Sequence, residues 1–342
     1  MNLSESHRLF NHDENEGDKM ITQVYSNIYK NEILLPNNPL KAINSYIIRG
    51  EDRNLIIDTG FNIPGCKDAF MKGMEELGIE RKKTRLLVTH LHSDHSGLAA
   101  ALQKEGVTVC AGAIDGRLIN EMTEEAYWDR FKDYGRLFDL EKDNISFHDH
   151  PGYKYCPKEP IDFIYLKEGD VLKVGDYTFE IVDIPGHTPG HIGLYEQKHK
   201  LFFCGDHILD KITPNITFWG FEQDILSVYF NNLQKVAQYD IALLLTAHRS
   251  TIKDHRKRIQ ELLEHHRLRL NEILMIIKES KKSVRDTAAA MHWELRYDRW
   301  EDFPNPQKWF AAGEAMAHLE HLVATGKAEK IKESEIIYYK AK

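Results

Sequence analysis

Short apolar blocks separated by polar turns dominate the chain from Val24 to about residue 250, and from Asp254 onward apolar residues recur at helical spacing instead. Ile43 to Ile48 and Leu55 to Ile57 are two such blocks, joined by the polar run Arg49 to Asn54, which predicts a hairpin. Residues 65–78 predict an amphipathic helix stopped near Gly78, and Leu86-Leu87-Val88 form the centre of a buried strand over Arg85 to Thr89. Leu98 to Glu105 then reads as a helix and Val107 to Ala111 as a strand. The stretch from Ile114 to Leu140 breaks this rhythm, being helix-prone with Tyr127, Trp128, Phe131, Tyr134, Leu137 and Phe138 at three- and four-residue spacing. Such a stripe is by default a packing face. As part of an insertion over 114–160 that ends in a Pro- and Gly-rich loop with His148 and His150, it is also placed to cap a pocket.

The strand pattern resumes at Ile161, with a hairpin of Asp170 to Val174 and Tyr177 to Asp183 about Gly175, then Leu201 to Cys204 and Ile241 to Leu245. Residues 254–280 predict a helix with Leu262, Leu263, Leu270, Ile273, Leu274 and Ile277 on one face. A short helix over Ser283 to Met291, a longer one over Ala311 to Thr325 and a terminal hairpin through Gly326 to Tyr339 complete the pattern. The domain organisation expected is a polar arm over 1–20, a strand-rich domain over 21–253 and a smaller unit over 254–342.

Residues of metal-ligand type stand at the ends of these predicted strands. His90, His92, Asp94 and His95 follow the Arg85 to Thr89 strand within one short loop. Side chains two apart in extended chain point the same way, so His90 and His92 can converge on one ion while Asp94 and His95 turn toward a second. Imidazole and carboxylate together suit a borderline divalent ion such as Zn²⁺. His187 is presented by a tight turn with Pro and Gly on both sides, and would give the first ion a third imidazole. His191 reads as a supporting residue, and His148 and His150 as surface or structural ones. Asp206 follows a strand and a Gly, where its two oxygens can bridge two cations, and His248 closes the Ile241 to Leu245 strand. Asp58 ends another strand before Gly60, and either caps the next segment or orients a ligating imidazole.

These blocks, His90-Leu-His92-Ser-Asp94-His95, Pro-Gly-His187-Thr-Pro-Gly, Gly-Asp206-His and Ala-His248, with Leu-Ile-Ile-Asp58-Thr-Gly upstream, resemble those of the metallo-β-lactamase-fold hydrolases over residues 20 to 255. The resemblance implies an α/β fold, an αββα sandwich of two mixed sheets with helices outside. It also implies that His90, His92 and His187 hold one metal, that Asp94, His95 and His248 hold the other, and that Asp206 bridges them. Flavodiiron proteins are less similar, because their first block carries an acidic residue where His92 stands. The tail resembles the winged-helix-like unit of glyoxalase-II-like and lactamase-like hydrolases. The chemistry implied is hydrolysis by hydroxide generated from water between two divalent ions, Zn²⁺ foremost with Fe²⁺ or Mn²⁺ as alternatives, and with Asp94 and Asp206 as catalytic carboxylates. The expected substrate is a small acyl compound, a thioester, lactone or related ester. The rival readings are a lactamase-like phosphodiesterase or endoribonuclease and a DNA-binding regulator with a structural metal.

Composition narrows the choice. A formal charge of −8 and interleaved charges in the tail do not favour nucleic acid as a partner. Cys66, Cys110, Cys156 and Cys204 are widely spaced, which predicts free thiols in a reducing compartment. No run of about eighteen apolar residues occurs, so no membrane partner is expected. The expectation is a cytoplasmic enzyme, and the aromatic insertion offers a face for a homodimer.

Overall fold

A computed structural model describes residues 21–342; the polar arm expected over 1–20 lies outside the described residues. Seven strands form the first sheet: β1 (Ile21–Tyr25), β2 (Ile28–Leu34), β3 (Ala42–Ile48), β4 (Asn54–Ile57), β5 (Thr84–Val88), β6 (Thr108–Gly112) and β7 (Ile164–Leu166), in that spatial order. Pairing is antiparallel from β1 to β4 and parallel from β4 to β7. The second sheet has the order β12-β11-β10-β9-β8, built from β8 (Val171–Val174), β9 (Tyr177–Asp183), β10 (Ile192–Glu196), β11 (Leu201–Phe203) and β12 (Leu243–Leu245). Only β11 and β12 are parallel there, so both sheets are mixed.

The unbroken apolar runs of the sequence are explained by burial on both faces. In β3, Tyr46 and Ile48 face the second sheet, meeting Phe179, Ile181, Leu194 and Phe203, while Ile43 and Ile47 face outward. That outer face is covered by α1 (Pro64–Glu76) and α3 (Ala99–Lys104), with the one-turn α2 (Ser93–Ser96) between β5 and α3. The second sheet is backed by α7 (Ile225–Ala237), whose Tyr229 and Leu233 pack on Val182 and Phe202. The layers are therefore αββα, as expected. The strands β4, β5, β9, β11 and β12 end at one rim, and the residues that follow them are Asp58, His90, His187, Asp206 and His248.

The crossover from β6 to β7 holds α4 (Ala113–Glu121), α5 (Glu125–Leu137) and α6 (Pro151–Tyr155). Its first helix packs against β6 and β7 and so continues the βα rhythm; the departure begins with α5. In the tail, α8 (His255–Ile276), α9 (Val284–Ala290) and α10 (Asn305–Ala324) surround a three-stranded antiparallel sheet of β13 (Lys282–Ser283), β14 (Ala328–Glu333) and β15 (Ile336–Ala341). No break in packing falls at residue 253. The first half of α8 buries Ile259 and Leu262 among the residues of α7, and its end buries Ile273 and Ile277 in the tail core. α10 begins several residues earlier than its apolar pattern suggested, because Pro306 stands in the first turn, where its missing N–H costs nothing.

The α8–α10 seam contains a buried pair of imidazoles. His318 Nδ1 donates to the Glu314 carbonyl (2.8 Å), which leaves its Nε2 to accept from His266 Nδ1 (3.0 Å). Burial drives both pKa values down, that of His318 to about 3. These groups stay neutral in the fold but take up protons below about pH 6.5 when unfolded, so stability falls as pH drops through that value. For the metal-loaded protein we expect this pair to cost roughly 1–2 kcal/mol between pH 6.5 and 5.5. Denaturant melts across that range should have a shallower pH slope in a His266→Leu/His318→Leu double variant; equal slopes would disprove the neutral pair.

Candidate metal centre

The β5–α2 turn sorts its four ligand-type side chains by backbone shape. His90 lies in the bend after β5, His92 has extended backbone, and α2 carries Asp94 and His95 onward from it. Three imidazole nitrogens meet in one cluster: His90 Nε2 and His187 Nε2 each lie 3.0 Å from His92 Nδ1. A second cluster brings His248 Nε2 to 3.4 Å and His95 Nε2 to 3.9 Å from Asp94 Oδ2. Asp206 stands between the two. Its Oδ1 is 3.5 Å from both His95 Nε2 and His248 Nε2, and its Oδ2 is 3.7 Å from His187 Nε2. All seven predicted ligands are thus brought together, and Asp58 lies directly behind them.

The outer nitrogens decide how the inner ones are protonated. His95 Nδ1 is held by Asp58 Oδ2 (2.8 Å), His187 Nδ1 by the Asn215 carbonyl (2.8 Å) and His248 Nδ1 by the Ala42 carbonyl (2.6 Å). Thr89 Oγ1 donates to Asp58 Oδ2 (2.8 Å) and is therefore left to accept from His90 Nδ1 (3.1 Å). In each case the neutral ring puts its lone pair on Nε2, toward the centre. His90 and His187 then aim two lone pairs at His92 Nδ1, which can carry only one hydrogen. His95 Nε2, His248 Nε2 and Asp206 Oδ1 are buried without any hydrogen-bond partner. Orphaned acceptors this closely grouped are expensive unless a cation sits among them. Imidazole and carboxylate donors are those that divalent ions of the Zn²⁺, Fe²⁺ and Mn²⁺ group accept, so the residues fit such ions.

The electrostatics divide along the same line. Burial, reinforced by neighbouring imidazoles, pushes the His90 pKa well down and that of His92 to about 3, keeping them neutral donors. At the other cluster burial opposes charge on His248, but the Asp206 and Asp94 carboxylates prevail and raise its pKa to about 10. His95 is likewise raised well above its ordinary value against burial, by Asp58, Asp206 and Asp94. The carboxyls of Asp94 and Asp206 are correspondingly lowered. This half of the site attracts positive charge.

Glycine permits two of the turns. A Cβ on Gly205 (φ +50°) would lie 2.7 Å from the His191 ring, and one on Gly186 (φ +143°) 2.7 Å from Tyr229 Cα. Asp58 itself adopts φ +61°. Of its two sequence readings the structure supports the orienting one: besides His95 and the Thr89 hydroxyl, it accepts from the Thr89 amide (2.8 Å). His191 Nε2 accepts the Asp206 amide hydrogen (3.2 Å), a supporting contact. His148 is exposed, whereas His150 accepts the Gly152 amide hydrogen at the start of α6 and packs on Phe131.

Three positioning residues escaped the sequence reading. Asp115, at the start of α4, accepts from Leu91 N (3.0 Å), Gly190 N (2.7 Å) and Thr188 Oγ1 (2.5 Å), tying the His90 loop to the His187 loop. Asn215 gives His187 its carbonyl, and its amide donates to Glu314 Oε2 of α10 (2.8 Å). Glu314 is also 3.5 Å from Arg269 Nε, so the tail steadies a candidate ligand. None of the three carries a local signal, since each acts across a long sequence separation.

The model of the metallo-beta-lactamase superfamily matches residues 39–248, and that of the metallo-beta-lactamase-like C-terminal domain matches residues 270–342. The chain belongs to the metallo-beta-lactamase superfamily. It is 29% identical over 175 residues to acyl-coenzyme A thioesterase MBLAC2 of Gallus gallus, a match covering 49% of this chain and 58% of that protein. It is 33% identical over 166 residues to hydroxyacylglutathione hydrolase GloC of Haemophilus influenzae, covering 48% of this chain and 65% of the other. The chain thus spans less than two thirds of the length of either relative. A beta-lactamase domain protein from Burkholderia ambifaria superposes with a TM-score of 0.79 at 25% identity, over 94% of this chain and 93% of its own.

Cutting the Glu314–Asn215 contact should loosen His187. We expect Glu314→Ala to weaken metal affinity on the order of tenfold, and Asp58→Ala by 10–100-fold, as losses behind a ligand typically do. Competition titration with a chromophoric chelator measures both. An unchanged affinity in Glu314→Ala would show that the tail contact has no hold on the site.

Proposed function

We propose that the protein is a metal-dependent hydrolase of acyl esters, thioesters foremost, working with two divalent ions, zinc in the first place. The observation that carries this reading is the cluster of buried imidazole nitrogens and carboxylate oxygens that face one another, with His95 Nε2, His248 Nε2 and Asp206 Oδ1 lacking any hydrogen-bond partner. His90, His92 and His187 would hold one ion, Asp94, His95 and His248 the other, with Asp206 shared. Such ions, when bound, supply Lewis acidity that lowers the pKa of water and polarises an acyl oxygen. The two relatives described above, a thioesterase and a hydrolase by name, support the same class.

The chain's own residues do the rest. Asp58, Asn215 and the Ala42 carbonyl fix the tautomers of His95, His187 and His248, so that no reorganisation is required of them during reaction. Asp94, kept ionised against burial by the neighbouring His95 and His248, is the carboxylate placed to accept the proton that attacking water gives up and relay it toward the leaving group. Trp219, stacked 6.4 Å from His92 and donating to the His187 carbonyl (3.2 Å), flanks the site where it opens to the chamber. Aromatic side chains rather than clustered cations border the approach, which favours an acyl compound over a phosphodiester. Among the described residues no helix is long and apolar enough to cross a membrane. The winged-helix-like tail serves in this reading to buttress His187 and wall the approach.

Removing metal with dipicolinate should abolish thioester hydrolysis and adding Zn²⁺ should restore it. His92→Ala and Asp206→Ala should lose bound metal together with at least about 10³-fold in kcat/KM. Full turnover by metal-free protein would refute the mechanism.

A further inference from the structure

The candidate centre opens into a chamber far larger than a small ester requires. His92, Asp94, His187 and Asp206 lie at one side of a cavity of about 1410 Å³. Pockets for small ligands commonly span about 300–1,000 Å³. Thirteen Phe, Tyr and Trp residues border it, four of them tryptophans. They come from distant stretches of chain: Trp128 and Phe131 from α5, Phe218 from the segment before α7, and Trp293, Trp309 and Phe310 from the tail.

These walls are braced against one another. Phe131 stacks on Trp309 with ring centroids 4.5 Å apart, and Phe218 meets Tyr134 and Phe138 edge-on at 5.6 and 5.8 Å. Trp128 is anchored by its indole N–H on the Met122 carbonyl (2.9 Å). Of the two tail carboxylates at the border, Glu314 is already engaged by Asn215 and Arg269, and Glu294 is exposed. An acyl group of two or three carbons would leave most of this apolar wall in contact with water, and the wall would contribute nothing to binding it.

Resting on the hydrolase reading above, we infer that the chamber takes a large apolar acyl group, a medium or long aliphatic chain or a fused aromatic ring system, and holds its carbonyl at the metal centre. The site then selects by burial: each added methylene that leaves water favours binding about three- to fourfold. Part of that selection comes from the tail, through Trp293, Leu295 and Trp309.

The test is a series of N-acetylcysteamine thioesters with one leaving thiol and acetyl, butyryl, octanoyl or 2-naphthoyl as the acyl group, assayed with zinc-loaded protein. We expect kcat/KM to rise on the order of 10²-fold from butyryl to octanoyl. We expect Leu295→Asp to lower the octanoyl value at least tenfold with metal content unchanged. A flat or falling series with active enzyme overturns the inference and leaves the hydrolase reading intact. If no thioester is cleaved, the hydrolase reading fails, and binding of octanoate and 2-naphthoate, followed by tryptophan fluorescence, judges the chamber separately. Saturable quenching below about 1 mM upholds a large apolar ligand, and none up to about 10 mM overturns it.

Discussion

Buried imidazoles whose outer nitrogens are already committed turn their inner nitrogens toward the positive charge the site holds, a proton or a metal cation. In this chain four histidines are placed that way, their partners being a carboxylate, a threonine hydroxyl and two backbone carbonyls, and the Nδ1 of His92 faces inward between two of them. Hydrogen bonding alone cannot satisfy the arrangement. Two sheets, a rim of strand ends and turns that only glycine can make bring these atoms into one space, so much of the fold is organised around this requirement. Asp58 illustrates the cost, since it holds a left-handed backbone in order to reach both Thr89 and His95.

The parts of this arrangement that were legible in the sequence are those whose signals are local. Strands buried on both faces leave continuous apolar runs, and a ligand-type residue at a strand end sits beside its own run, so His90, His187, Asp206 and His248 could be picked out as candidates. Asp115, Asn215 and Glu314 could not. Each does its work through one hydrogen-bond network between segments 24 to 99 residues apart, and nothing in the neighbouring residues marks it. The boundary expected at residue 253 falls just before a helix that joins the two regions. α8 has one apolar face by sequence, but its two halves bury that face in two different cores.

The aromatic stripe of α5 shows how one pattern serves two ends. Tyr127 and Trp128 are buried in the core under the first sheet and also border the chamber, and Phe131, Tyr134 and Phe138 turn to the chamber and to the tail core. Helical spacing tells which residues share a face and is silent about whether that face meets a core or a cavity. Chamber volume is set by how far apart four segments are held, and that is a property of tertiary structure alone.

The hydrogen bond from Asn215 to Glu314 reaches beyond the metal loop itself. It makes the C-terminal unit a mechanical support of the centre as well as one wall of its chamber. The two matched regions therefore cannot be exchanged as free modules. A chimera that kept residues 39–248 and took its tail from a relative would have to re-create a carboxylate at the height of Glu314, or inherit an ion held less firmly and a chamber of another shape.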